Sequence, residues 1–166
     1  MEKLDFVNTN DMVIGSAYKN IIYEQKLPHR IVHVLIYNTQ KEIALQLRSD
    51  NKSFCPLHWS TAVGGHVKSG ETCLEAALRE TKEELGCSPK INYLQKYYYE
   101  SAGGDKKFLS IFKAFYNGPF YINKKEVKNM KYFKLSKIKL MISQKQKMHP
   151  ELLFILQRLY FNNQIL

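Results

Sequence analysis

Between Thr72 and Gly86 the chain carries both the start and the stop of a helix. Thr72, followed three residues later by Glu75, is a capping box: the hydroxyl accepts from a free amide of the first turn, and the carboxylate reaches back to the cap residue's own amide. Gly86 supplies the left-handed residue at which a helix ends. The spacing therefore predicts a helix over roughly 72–85. Leu74, Leu78, Thr81 and Leu85 recur at helical spacing and read as its buried stripe. The same helix sets Glu80, Glu83 and Glu84 at i, i+3 and i+4, within reach of each other. Like charges so spaced repel by about 0.2–0.5 kcal/mol per pair on an exposed helix. A divalent cation accounts for their company, because hard cations such as Mg²⁺ take carboxylate oxygens, keep several waters and bridge to substrate phosphates. Arg79, four residues before Glu83, offsets part of the repulsion. The plain alternative is a solvated, glutamate-rich helix face that binds nothing.

Around this element the chain reads as strands and helices in alternation. Residues 31–38 are β-branched and aromatic and 42–48 alternate apolar with polar, which predicts a hairpin. Ser49 to Trp59, broken by Pro56, is a loop, and Ser60–Val63 is a short segment entering Gly64-Gly65. Ile91–Tyr99 and Phe108–Tyr116 read as strands around the turn at 101–105, and Met130–Leu135 as one more. Ser136–Gln144 and Glu151–Phe161 read as helices, with Pro150 at a helix start and Leu152, Leu153, Ile155, Leu156 and Leu159 as a docking stripe. With 166 residues, 45% of them hydrophobic, and no repeat or Gly/Ser linker, residues 1–166 read as a single domain with its own core. No run reaches the ~18 apolar residues of a membrane span, and the charged start Met1-Glu2-Lys3-Leu4-Asp5 is unlike a signal peptide, so a cytoplasmic protein without a membrane partner is expected. Cys55, Cys73 and Cys87 form no C-x-x-C pair and are expected to be reduced.

The net charge of +10 is unevenly spread. Twelve Lys and a single acidic residue, Glu126, lie between Lys106 and Lys147, whereas Glu71 to Glu84 holds five Glu against Arg79 and Lys82. A lysine-rich half can steer phosphate-bearing ligands, RNA among them, or can serve solubility alone.

The run Gly65-x5-Glu71-x7-Arg79-Glu80-Thr81-Lys82-Glu83-Glu84-Leu85-Gly86-Cys87 resembles the signature of the Nudix hydrolases, Gly-x5-Glu-x7-Arg-Glu-U-x-Glu-Glu-x-Gly-U, with U a bulky aliphatic residue. All seven specified positions are met over residues 65–87; the two U positions hold the smaller or more polar Thr81 and Cys87, a departure that concerns packing. The resemblance implies an α/β/α sandwich with a mixed β-sheet, the box forming loop, helix and loop. It implies Glu80, Glu83 and Glu84 as metal ligands, with the Gly64 carbonyl beside them and Mg²⁺, or Mn²⁺ in its place, as the cofactor. Glu71 is implied to be held by Arg79, and Gly65 to let the backbone come close to a diphosphate. The implied reaction is hydrolysis of a nucleoside diphosphate linked to a group X by attack of water on phosphorus. One carboxylate must take the water's proton. Outside the box the C-terminal half offers Glu100, Asp105 and Glu126, and Glu126 is preferred because family members often carry an acidic residue just before the strand read at 131–135. The implied partner is a small diphosphate-bearing molecule, a nucleotide in the first place; monomer and homodimer are equally compatible.

The stretches Leu27–Val34, Leu45–Ser49 and Trp59–Val67 resemble the Nudix branch neighbouring isopentenyl-diphosphate isomerase, whose His ligands resemble His29 and His66. That enzyme's reactive cysteine falls at Gly64, which cannot transfer a proton, and Cys55 and Cys73 are poor substitutes. Hydrolysis is therefore expected over isomerisation, with an RNA-binding or RNA 5′-end-processing protein as a third reading. His29 and His66 are expected to touch metal or phosphate, and Arg48 to contact phosphate. Trp59, with Phe54, Tyr97 and Tyr99, is read as a stacking surface for a base or as ordinary core.

Overall fold

A computed structural model describes residues 2–161. The order of elements is β1 (Lys3–Val7), β2 (Val13–Tyr18), α1 (Lys19–Glu24), β3 (His29–Tyr37), β4 (Ile43–Arg48), β5 (Trp59–Thr61), β6 (Val63–His66), α2 (Cys73–Leu85), β7 (Ile91–Glu100), β8 (Lys106–Phe115), β9 (Val127–Phe133), α3 (Leu135–Ser143) and α4 (Pro150–Leu156), which continues as a π-helical turn (Gln157–Phe161). The first three elements were not marked by the sequence patterns. They form an antiparallel hairpin and a short helix that reach the body of the sheet at Phe6↔His29.

β3 is the hub. It runs parallel to β8 along its whole length, from His29↔Lys107 to Tyr37↔Phe115, and antiparallel to β6 from Ile31↔His66 to Val34↔Val63. A strand buried on both faces reads as a continuous apolar run and suits a parallel neighbour, as Ile31 to Ile36 do. β4 pairs instead with β9 and β5. The predicted hairpin of β3 with β4 is consequently paired at Tyr37↔Ile43 alone, and beyond it the two strands diverge because each has taken other neighbours. The divergence opens a V in the sheet, and the cleft described below lies there.

Alternate residues of β3 serve opposite layers. Val32, Val34 and Ile36 pack with Ala76, Ala77 and Leu85 of α2, while Ile31 and Leu35 pack with Leu109, Ile111 and Ile155 of α4. Ile43 and Leu45 of β4 bury Ile138 and Met141 of α3 and Leu152 and Leu156 of α4. The result is the expected α/β/α sandwich around a mixed sheet. Leu152, Ile155 and Leu156 dock the last helix as read, while β9 begins three residues before the predicted 130.

α2 follows its sequence signals closely. The Glu75 amide donates to Thr72 Oγ1 (3.2 Å), the Thr72 amide donates to Glu75 Oε2 (2.8 Å), and Gly86 ends the helix at φ 63°. Its buried face, however, is not the predicted one. Leu74 and Leu78 are 45% and 42% exposed, and Ala76, Ala77, Thr81, Glu84 and Leu85 are buried. The helix lies close over β6, where small residues fit and leucines do not; a Cβ on Gly65 would stand 2.2 Å from Glu80 Cδ. Thr81 and Cys87 are buried as expected, and all three cysteines are unpaired. Among the described residues no helix is long and apolar enough to cross a membrane.

Candidate active site

The V between β3 and β4 opens into a cleft of about 760 Å³, with α2 on one side of the sheet and α4 on the other. The α2 wall is organised by Arg79. Its Nε and Nη2 donate to Glu71 Oε1 (2.8 Å) and Oε2 (2.9 Å), a bidentate grip that the planar guanidinium fork favours. Its Nη1 donates to Glu80 Oε1 (2.6 Å) and Glu83 Oε2 (3.3 Å), and Nη2 also donates to the His66 carbonyl (2.9 Å). Burial works to raise the Glu71 pKa, but the hydrogen bonds from Arg79 outweigh it and hold this carboxylate below the usual range. Glu71 also accepts from the Lys68 amide (2.9 Å), so the loop before α2 is tied to the helix through one ion pair.

Glu84 lies deepest. It is 4% exposed and accepts from Gln46 Nε2 of β4 at 3.0 Å, so it fills the gap between the diverging strands. Burial first, and the neighbouring Glu80 charge second, push its pKa up to about 8; Lys52, Gln46 and the Gly64 amide only partly counter this. Burial also raises Glu80. Glu83 remains half-exposed at the rim. Of Glu80 and Glu84, the two carboxyls driven from water beside each other, Glu80 is bonded by Arg79 and Glu84 is not, so the pair is short of positive charge. Among the described residues no three His, Cys, Asp or Glu side chains stand together as a ready metal site, and Arg79 holds Glu80 and Glu83.

The α4 wall has a charge cluster that sequence reading missed. Glu151 is 5% exposed. Its Oε1 accepts from Lys107 Nζ (2.7 Å) and its Oε2 faces His33 Nε2 (3.0 Å). Thr61 Oγ1 donates to the Val63 carbonyl (2.8 Å), so it accepts from His33 Nδ1 (2.8 Å). The other ring nitrogen of His33 lies against the Glu151 carboxyl, so the ring bridges Thr61 and Glu151. Burial opposes ionisation of Glu151, but His33 and Lys107 overcome it and hold the carboxyl far below the usual range. The signals were faint: one polar residue in the apolar run of β3, and one Glu opening an apolar helix. Lys107 belongs to the lysine-rich half but is buried, not part of a solvated face.

The cleft gathers Gly64, Gly65, His66, Arg48, Arg79, Glu80, Glu83, Glu84 and Glu126 as the sequence proposed. Several assignments need correction. Gly65 lines the cleft, and the side chain it lacks also makes room for Glu80. Arg48 lines the cleft, but its Nε and Nη2 donate to the carbonyls of Cys55 (3.1 Å) and Phe54 (2.9 Å) and so brace the 49–58 loop. His29 does not line the cleft; it is 1% exposed, behind His66, whose ring it stacks on with centroids 5.7 Å apart. Trp59 packs edge-on against Phe133 at 5.1 Å in the α3/α4 core, and Tyr97 and Tyr99 pack on Phe154, so of the proposed stacking residues Phe54 alone lines the cleft. Of the three acidic residues that the sequence offered outside the box, Glu126 and Asp105 line the cleft and Glu100 does not; Glu126 is ion-paired with Lys52.

This arrangement of helix, strand gap and glutamates is that of a diphosphate-handling Nudix fold, and sequence comparison agrees. The NUDIX domain model matches residues 27–153. The chain belongs to the Nudix hydrolase family, whose members act on diphosphate bonds. An uncharacterised Nudix hydrolase of Streptomyces coelicolor is 34% identical over 115 residues, 68% of this chain and 64% of that protein. An isopentenyl-diphosphate Δ-isomerase of Serratia proteamaculans is 33% identical over 101 residues, 61% of this chain and 56% of that one, in keeping with the expected branch. The crystal structure of DR0079 from Deinococcus radiodurans superposes with a TM-score of 0.83 at 24% identity, covering 96% of this chain and 99% of that one.

Proposed function

We propose that the protein is a Mg²⁺-dependent pyrophosphohydrolase that cleaves a nucleoside diphosphate linked to a group X, releasing products at the diphosphate bond. The observation that carries this reading is the buried Glu84 carboxyl with partly buried Glu80 beside it at the cleft floor. Glu80, Glu83 and Glu84 would hold the cation, with the Gly64 backbone beside them. When bound, the cation neutralises phosphate oxygens and acidifies water.

The chain's own residues do the rest. Arg79 fixes the Glu71 loop and, through the His66 carbonyl, the end of β6, so the glutamates and the glycine pair keep their spacing. The side chain that Gly65 lacks leaves Glu80 its position against the strand. Gln46 holds the Glu84 carboxyl across the gap. Glu126, on the opposite lip and ion-paired with Lys52, takes the proton of the attacking water and passes it to solvent. Cys55, Cys73 and Cys87 are outside the cleft lining, which weighs against an isomerase that needs a cleft thiol.

The test is release of phosphate and pyrophosphate, with and without Mg²⁺, from nucleoside triphosphates, dinucleotides, nucleotide sugars, capped RNA and isopentenyl diphosphate. Mg²⁺-dependent release that Glu84→Gln loses supports the reading; full activity in that variant overturns it. Isotope exchange into isopentenyl diphosphate without phosphate release would instead establish the isomerase.

A further inference from the structure

We propose that Phe54 and His149 form the subsite for a nucleobase, the Phe54 ring stacking on the base and His149 Nε2 donating to an acceptor on it. The inference deepens the hydrolase reading and rests on it for the diphosphate to which the base is linked.

Phe54 is carried by the loop between β4 and β5, and His149 caps α4; both line the cleft that holds the box glutamates. The Phe54 ring is 56% exposed and lies nearly perpendicular to the His149 ring, with centroids 5.4 Å apart. Its backbone is fixed: the Phe54 carbonyl accepts from Arg48 Nη2 (2.9 Å), and the next carbonyl, of Cys55, from Arg48 Nε (3.1 Å). An aromatic ring on a braced loop, open to the cleft, offers a planar ligand a flat surface that needs little further ordering. Stacking of a base on such a ring is favourable whichever base it is, because every base has a π-face.

A second observation, independent of Phe54, supplies the polar group. His149 is 5% exposed, and its amide donates to the Trp59 carbonyl of β5 (2.8 Å), which locks its backbone in place. Its Nδ1 accepts from the Glu151 amide (3.3 Å), so the ring proton is on Nε2. Nε2 has no partner among the described residues and, unlike His29 Nε2, is not sealed from solvent, so this N–H is open to the cleft. The nearby Glu151 carboxyl does not claim it, being bonded to Lys107 and His33. A flat ring beside one fixed N–H donor selects an aromatic heterocycle that carries an acceptor, as every nucleobase does. An isoprenoid chain would cover Phe54 and leave the donor unpaired, whereas a sugar would pair the donor and leave the ring without a stacking partner.

The decisive experiment uses the full chain in EDTA and ligands without phosphate, so that neither metal nor diphosphate contributes: adenosine and cytidine against ribose and isopentenol. Binding is read from the aromatic ¹³C resonances of Phe54 and the imidazole ¹⁵N resonances of His149. Both nucleosides are expected to bind saturably and to move both sets of resonances, with ribose and isopentenol at least about tenfold weaker. Phe54→Leu, at an exposed position where folding is not at stake, should weaken nucleoside binding at least about fivefold, and Phe54→Tyr should keep it. His149→Asn, which retains a capping acceptor and loses the Nε2 donor, should weaken it by a similar factor. No saturable nucleoside binding, equal binding of ribose or isopentenol, or unchanged affinity in Phe54→Leu or His149→Asn overturns the subsite. Mg²⁺-dependent release is measured separately: its absence ends the hydrolase reading and leaves nucleoside binding in EDTA to decide the subsite by itself.

Discussion

At the α2 end of the cleft, buried Glu84 stands beside partly buried Glu80, which shares Arg79 with Glu71 and Glu83; at the α4 end a single carboxylate, Glu151, lies between Lys107 and His33. The first cluster is short of positive charge and is strained toward neutrality, as the raised pKa of both glutamates shows. The second is closed upon itself and keeps its carboxylate ionised. Glu84 and Glu151 are about equally buried, so it is the local balance of charge that raises the one carboxyl and lowers the other.

Glu84→Gln tests the difference most severely. It should lower turnover at least about a thousandfold, equivalent to ~4 kcal/mol of barrier, while the melting temperature in metal-free buffer stays the same or rises, because repulsion with Glu80 is relieved. A large loss of stability would show that the α2 cluster is closed like its counterpart. Lys107→Met should do the reverse and destabilise the fold by about 3 kcal/mol, the scale for breaking a buried pair. Glu151→Gln in the same chain should recover most of that in urea unfolding; no recovery would mean that Lys107 acts by packing.

Histidine burial at the α4 end makes stability depend on pH. His149 accepts from the Glu151 amide (3.3 Å), and burial lowers its pKa from 6.5 to about 4. The folded chain resists a proton that the unfolded chain takes, so stability falls as pH drops from 6.5 toward 4 and is constant for this group above 6.5. His149→Asn, which keeps a capping acceptor, should flatten the slope of unfolding free energy against pH by about 2 kcal/mol between pH 7 and 5. An unchanged slope would assign it to His29 and His66. The smallest effect is expected outside the cleft: Leu78→Gln should alter stability by less than about 0.5 kcal/mol, whereas Ala77→Val, on the buried face, should cost about 1–3 kcal/mol. The opposite ranking would restore the leucine stripe.

The legible part of the molecule was local. Thr72, Glu75 and Gly86 specify a helix through neighbours three residues away, and Glu80, Glu83 and Glu84 meet by the helix period alone. Strands β7 and β8 and helix α3 were visible for the same reason. What was not legible depended on partners chosen elsewhere. Trp59 read as a stacking surface or as core, and it is core, because β5 turns it toward Phe133; Leu78 looked buried, but close packing over β6 rotates it out. The paired strands read at 31–38 and 42–48 became the two lips of a cleft because β6, β8, β5 and β9 took their edges.

The sequence by itself determined the acidic helix, its caps and the glutamate–arginine spacing, since these are interactions within a few turns of one backbone. The tertiary structure alone decided the basic end of the cleft. His33 and Glu151 are separated by 118 residues and Lys107 and Glu151 by 44. Their meeting depends on strand register and on the docking of α4, which no local period encodes.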